Sequence, residues 1–268
     1  MTPPRPRLVA TDLDGTIVSW SGEITDRTVA ALQAVEAQGV PIVFVTGRPP
    51  RWMADVAERT GHTGLAVCAN GALLYDLHAE RVVDSFPLSV EIGLEVARLL
   101  RDALPDIAFA VETLDGFAHE SAYAPRFDVG QARAVAHIDR IYGEPAMKLL
   151  ARHESLGPDE LLAAAREVVG DVVEMTHSST SGLLEISAAG VSKASTLARI
   201  CEERGIDPSE VVAFGDMPND LPMLAWAGLS YGVADGHPEV VAAADALVDP
   251  PEKDGVAREL ERLFSTAQ

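Results

Sequence analysis

Short apolar runs alternate with helical spacing at both ends of this chain, and that alternation limits the fold more than any other feature of the sequence. Leu8-Val9-Ala10 reads as a buried strand running into Thr11-Asp12. From Asp26 to Gln38 the apolar residues Val29, Leu32 and Val35 recur at helical spacing, with Thr25 placed as N-cap, Asp26 at the positive helix end and Gly39 as terminator. Val40 to Val45 is a second strand, β-branched and without polar alternation. Strand, helix, strand at this spacing is a parallel βαβ unit with a right-handed crossover. A helix over Pro49 to Arg59 and a strand over Leu65 to Cys68 extend it. The last eighty or so residues resume the rhythm: a helix over Lys193 to Glu203 ended by Gly205, a strand over Val211 to Phe214, a helix over Asn219 to Ala227, a strand over Leu229 to Val233, and a helix over Pro238 to Ala244. One α/β sheet built from both termini satisfies this pattern.

The middle has a different grammar. A hairpin pattern, Leu73-Leu74-Tyr75 with Arg81-Val82-Val83, leads to an amphipathic helix over Ser89 to Leu104. Strand-like pieces follow at Ile107 to Glu112, Gly116 to Glu120 and Met147 to Ala151, then a helix over Pro158 to Val169, then strands at Asp171 to Thr176 and Gly182 to Ser187. Strands in pairs around two helices predict an α+β unit inserted into the α/β domain. The expected division is residues 1–84 with 188–268 for the core and 85–187 for the insertion, with hinges at Asp84 to Pro87 and Ser187 to Ser192.

Charge narrows the partners. The 268 residues carry 41 acidic against 21 basic side chains, a formal net charge of −20 that repels nucleic acid and anionic membrane surfaces. An anionic substrate therefore needs a local positive centre, a metal or a few placed Lys and Arg. Cys68 and Cys201 stand in apolar or helical contexts without metal-type spacing and read as reduced thiols. Met1 to Arg7 does not read as a signal peptide and no stretch approaches membrane-spanning length, so a cytoplasmic location is expected.

Three polar clusters fall at predicted strand ends: Asp12-Leu13-Asp14-Gly15-Thr16, Thr46-Gly47-Arg48 and Asp216-Met217-Pro218-Asn219-Asp220. Parallel strands share one carboxyl edge, where ligands bind in open α/β sheets, so segments more than two hundred residues apart converge on one rim. Asp12 and Asp14 lie two residues apart and point the same way on extended backbone, and their repulsion must be offset by a cation or a shared proton. Asp216 and Asp220 add further carboxylates. Oxygen donors without a His or Cys cluster suit a hard ion, and Mg²⁺ fits better than Zn²⁺. His119, His137, His153 and His177 are scattered singly through the inserted region, and this chemistry requires none of them.

These motifs, with Lys193 in Gly190-Val191-Ser192-Lys193 and with Asn70-Gly71-Ala72, resemble those of the haloacid dehalogenase-like superfamily, specifically the Cof-like phosphatases of subfamily IIB, over nearly the whole chain. The resemblance implies a Rossmann-like parallel-sheet core with an inserted α+β cap of type C2B. It implies a Mg²⁺-dependent phosphatase working through an aspartyl-phosphate. Asp12 is then the nucleophile and a metal ligand, and Asp14 the general acid and later base, giving the metal its backbone carbonyl. Asp216 is a direct ligand and Asp220 holds metal-bound water. Thr46, the Gly47 amide, Lys193 and Asn219 hold the phosphoryl oxygens.

Four alternatives stand beside these roles. Lys193 could be a solvated residue near a helix start, Thr46 only a cap, Arg48 an ion-pair partner of a carboxylate instead of a substrate contact, and Asn70 a turn residue instead of a substrate contact. Relatives carry Gly-Asn-Ala where this chain has Ala234-Asp235-Gly236, which leaves Asp235 either serving a helix N-terminus or adding charge near the phosphate. Sugar phosphates, pyridoxal phosphate and flavin mononucleotide are the substrates typical of such enzymes. Phosphoryl transfer between sugar positions, as in phosphomutases, and a non-enzymatic receiver-like domain are the competing readings.

Overall fold

In a computed structural model, which describes residues 5–126 and 132–265, the chain divides into two compact units. Unit 1 takes the residues up to Asp84 and from Ser192 onward, and unit 2 takes Ser85–Val191.

Unit 1 opens with β1 (Leu8–Thr11), α1 (Asp26–Glu36), β2 (Ile42–Val45), α2 (Ala54–Thr60), β3 (Leu65–Cys68), β4 (Leu73–Asp76) and β5 (Arg81–Ser85). Thr25 caps α1 as expected, its hydroxyl oxygen accepting the Thr28 N–H at 3.1 Å. The helix stops at Glu36, two residues before the predicted end. The helix expected from Pro49 is broken: Pro50–Trp52 forms a 3₁₀ turn before α2, where adjacent prolines supply no N–H to an α-helical ladder.

Unit 2 follows with α3 (Val90–Ala103), β6 (Ala108–Glu112), β7 (Phe117–Glu120), β8 (Arg133–Val135), β9 (Lys148–Arg152), α4 (Pro158–Val169), β10 (Val173–Thr176) and β11 (Leu183–Ala188). Among the described residues its six strands run in the order β10-β11-β9-β6-β7-β8. Alternate residues of this sheet, among them Phe109, Val111, Leu149, Ala151, Leu184 and Ile186, pack with Val96 and Leu100 of α3 and Leu161 and Ala165 of α4 into one buried core.

The chain then completes unit 1 with α5 (Lys193–Arg204), β12 (Val211–Gly215), α6 (Leu221–Trp226), β13 (Leu229–Val233), α7 (Pro238–Ala243), β14 (Ala246–Val248) and α8 (Gly255–Phe264). Beyond Ala244, where the sequence reading places no element, β14 extends the sheet and α8 packs on α1, with its residues Val256, Ala257, Leu260 and Phe264 buried. The α6 segment is preceded by a 3₁₀ turn at Pro218–Asp220, which starts one residue before the expected Asn219 and is wound more tightly than an α-helix.

The eight-stranded order is β14-β13-β12-β1-β2-β3-β4-β5, with β14 through β3 parallel and β4 antiparallel to β3. β1 lies between β12, which is remote in sequence, and β2, which is close. Chain order reverses there, so the crevice beyond the carboxyl ends of β1, β2 and β12 is the switch point of the sheet. Apolar β1 and its neighbours, Leu8, Ala10, Val43, Val45, Val211 and Ala213, fill the core on one face against α5 and α6.

The turn after β3 is seated directly on the start of α5. Gly71 has φ +104°, and a Cβ there would stand 2.1 Å from the Ser192 carbonyl oxygen. The Gly71 carbonyl also accepts the Thr196 hydroxyl at 2.6 Å. Gly71→Ala should therefore destabilise unit 1 by about 2 kcal/mol or more, because backbone on both sides must shift and the new residue is strained. Chemical denaturation of parent and variant measures this, and a change within about 0.5 kcal/mol contradicts the packing described.

Candidate active site

Four segments meet at the switch point. Asp12 follows β1, and its N–H donates to the Phe214 carbonyl of β12 at 2.9 Å. Thr46 follows β2, tied to β3 by its N–H on the Val67 carbonyl at 2.8 Å. Asp216, Asn219 and Asp220 follow β12, and Lys193 is the first residue of α5.

Lys193 is the centre. Its side chain is fully buried, and its Nζ donates at 2.6 Å to Asp12 Oδ1 and at 2.6 Å to Asp220 Oδ1. Burial alone would lower its pKa, but the two carboxylates more than offset that and hold the ammonium above the ordinary lysine range. Ser192 caps the helix in a reciprocal box with Ser195, leaving the lysine stem to run inward. The solvated reading of Lys193 is excluded by this burial.

Asp220 has both oxygens engaged. Oδ1 accepts from Lys193, and Oδ2 accepts the Asp216 and Met217 amides at 3.1 Å each. A Cβ on Gly215 would lie 2.5 Å from the Asp220 Cβ, so only glycine lets the loop fold back this tightly. Asp220 thus shapes the loop and anchors the lysine. Asp216 sits differently: its Oδ1 accepts the Thr16 hydroxyl at 3.2 Å, and its Oδ2 lies against Gly15, where a Cβ would come within 2.2 Å.

Asp12, Asp216 and Asp220 can bring one carboxylate oxygen each within 4.8 Å of one another, all buried. Three carboxylates around one ammonium leave surplus negative charge. Burial, reinforced by the neighbouring aspartates, pushes Asp12 up to about 7 and Asp216 up to about 9. A hard cation held by oxygen donors relieves this charge, so the residues present fit a divalent ion such as Mg²⁺. Asp12 and Asp216 are the better direct ligands, since the Asp220 oxygens already accept from N–H groups.

Arg48 proves to be an ion-pair partner. Its guanidinium binds Asp14 through two bonds, Nε to Oδ2 at 2.8 Å and Nη2 to Oδ1 at 2.5 Å, with the Asp14 side chain 43% exposed. The Thr46 hydroxyl oxygen accepts the Arg48 N–H at 3.0 Å, a local turn bond that leaves its own proton to donate. Gly47 joins these two residues on the same rim. Asn70 is both a turn residue, at φ 57°, and a site residue: it is buried, and its Oδ1 accepts the Asn219 Nδ2 at 3.0 Å.

Sequence reasoning missed Thr16 and the Gly236-His237 pair. The His237 N–H donates to the Asp216 carbonyl at 2.7 Å, and a Cβ on Gly236 would stand 2.6 Å from the same oxygen. Asp235, singled out from the sequence, is exposed, and α7 is capped by His237 instead. The glycine was the legible signal: only it permits the loop to lie against the Asp216 backbone.

Among the described residues no helix is long and apolar enough to cross a membrane.

The raised carboxyls give a pH dependence. In cation-free protein Asp12 and Asp216 keep protons in the folded state that they lose in the unfolded one, between the ordinary 3.8 and about 7 and 9. The folded state then binds more protons, so stability falls as pH rises through that window. Melting temperature in chelator should drop from pH 5 to pH 8.5, and added Mg²⁺ should make the drop smaller. An identical slope with and without the ion contradicts this assignment.

The model of a family described as haloacid dehalogenase-like hydrolase matches residues 9–260. A 5-amino-6-(5-phospho-D-ribitylamino)uracil phosphatase of Bacillus subtilis is 26% identical over 273 residues, covering 97% of this chain and 98% of its own length. A pyridoxal phosphate phosphatase of Escherichia coli is 25% identical over 265 residues, covering 94% and 96%. The fold is also that of a crystallised sugar phosphatase of haloacid dehalogenase subclass IIB, with a TM-score of 0.79 at 20% identity over 95% of this chain and 98% of the other.

Proposed function

The chain belongs to the haloacid dehalogenase-like hydrolase family, and from that membership we propose that it is a Mg²⁺-dependent phosphatase that hydrolyses a small phosphorylated metabolite through an aspartyl-phosphate. The observation that carries the reading is the buried Lys193 bridging Asp12 and Asp220 at the carboxyl edge of the sheet. A carboxylate attacks a phosphate monoester only where cations cancel the repulsion between them, and a fully buried ammonium on the attacking group is such a device.

Asp12 Oδ1 is held by Lys193, so Oδ2 is the oxygen that attacks phosphorus as the bond to the leaving oxygen breaks. Lys193, the Thr46 hydroxyl, the Gly47 amide and Asn219 would hold the phosphoryl oxygens. Asp14 would give its proton to the leaving oxygen and then take one from the water that hydrolyses the acyl-phosphate. The Arg48 pair occupies both Asp14 oxygens, so it must part before that carboxyl can donate. Asp12, Asp216 and the backbone carbonyl of Asp14 would hold Mg²⁺, with Asp220 behind them, and the ion when bound supplies positive charge to the phosphoryl oxygens.

Unit 2 would act as the cap that selects among substrates. The two relatives are named for phosphomonoesters of small molecules, which supports the same class here. Within it, sugar phosphates, pyridoxal phosphate and flavin mononucleotide are the first to assay.

Two measurements test the reading. Hydrolysis of an aryl phosphate should require Mg²⁺, stop in excess chelator and be abolished in Asp12→Asn; full turnover in chelator overturns it. Asp14→Asn should slow an alkyl phosphate by about 10²- to 10⁴-fold and nitrophenyl phosphate by much less, because nitrophenolate leaves with little protonation. Equal losses on both would remove Asp14 from the acid role.

A further inference from the structure

Two primary amides are buried beside the phosphoryl-binding set, and neither is fully partnered. Asn70 and Asn219 come from turns 149 residues apart and share a single bond, from Asn219 Nδ2 to Asn70 Oδ1 at 3.0 Å. Asn70 Nδ2 and Asn219 Oδ1 are both buried and have no hydrogen-bond partner among the described residues. A buried amide edge left unmatched costs about 1–3 kcal/mol, and such groups are rare unless something else completes them.

The surroundings say what completes them. The Asn70 N–H donates to the Thr46 carbonyl at 3.0 Å, and the next residue, Gly71, lies against the Ser192 carbonyl and the Lys193 amide. Asn219 immediately precedes Asp220, the anchor of the Lys193 ammonium. The turn that carries the spare N–H is thus fixed to Thr46 and to the start of α5, and its amide partner adjoins the anchor of the lysine, a setting that favours an anion. A residue needed only for its left-handed turn has no use for an amide buried against another turn, since glycine serves that backbone better. Rotating both amides together would move the free donor to Asn219 and the free acceptor to Asn70, so in either orientation the pair presents one unmatched donor, and the orientation described here gives it to Asn70.

We infer that Asn70 and Asn219 act as one amide clamp on a phosphoryl oxygen, with Asn70 contributing a donor of its own and its carbonyl fixing the orientation of the Asn219 amide. This rests on the phosphatase reading and adds a residue to it. Loss of Asn70 removes one donor and also frees Asn219 to turn its carbonyl toward the anion.

The test uses the full chain with Mg²⁺ and inorganic phosphate as competitive inhibitor of aryl phosphate hydrolysis. Asn70→Gly keeps the turn and removes the amide. It should raise the phosphate inhibition constant and lower kcat/KM by about 10- to 100-fold, as expected for a bond to a charged group, while retaining a cooperative melt. Asn70→Asp keeps the acceptor for Asn219 but replaces the donor with charge, and should bind phosphate no better than Asn70→Gly. Asn70→Gly with Asn219→Ala should lose less than the product of the two single effects, because the amides act together. A folded Asn70→Gly enzyme whose phosphate inhibition stays within about twofold of the parent overturns the clamp alone. A parent that neither hydrolyses phosphomonoesters nor responds to phosphate overturns the phosphatase reading and the clamp with it.

Discussion

One ammonium group organises the catalytic unit. Lys193 reaches across 181 residues of sequence to Asp12 and 27 to Asp220, and each of those aspartates is fixed in turn by the sheet or its loop. Three groups that would each be costly to bury alone become tolerable together. Asp220 shows the dependence best: with one oxygen on the lysine and the other on two backbone amides, it converts the cation's position into the shape of the loop carrying Asp216 and Asn219. Removing the lysine charge would leave buried carboxylates unmatched, a loss of about 3–5 kcal/mol for pairs of this kind. The site and the fold of this rim are therefore one electrostatic problem with one solution.

The surplus that remains is also informative. Arg48 neutralises Asp14 at the exposed edge, whereas deeper in the site a single ammonium faces Asp12, Asp216 and Asp220. Charge compensation thus runs out inward, where a divalent cation would restore it. The glycines follow the same geography: Gly15, Gly215 and Gly236 each lie where a Cβ would strike Asp216 or Asp220, so small residues let backbone crowd around the acidic centre.

Much of this was legible because it follows from local patterns. The strand and helix rhythm locates β1, β2, β3, β12 and β13, and the polar clusters at strand ends put Asp12, Thr46 and Asp216 on one rim, while Lys193, at a helix start, enters only through the family resemblance. What stayed hidden depends on tertiary partners. No pattern in Asn70-Gly71-Ala72 says that its amide meets Asn219, and Arg48 could not be assigned between Asp14 and substrate from spacing alone. The place of the amphipathic α8 is hidden in sequence because its partner α1 lies more than two hundred residues earlier. Asp235 stands out in sequence as the departure from the relatives' Gly-Asn-Ala, while the backbone of its neighbours Gly236 and His237 carries the contact to Asp216.

The place of β1 in the sheet sets the timetable of biosynthesis. Leu8 pairs with Val211, so one edge of β1 stays open while the ribosome translates about two hundred further residues. Residues 85–191 are contiguous, with their own sheet and core, and can condense during that interval without waiting for anything downstream. The larger unit must instead close a loop of about two hundred residues, the kind of non-local step that slows folding. Asp12 is thus made early and matched to its lysine late, and the catalytic rim is completed only after α5 and β12 have been made.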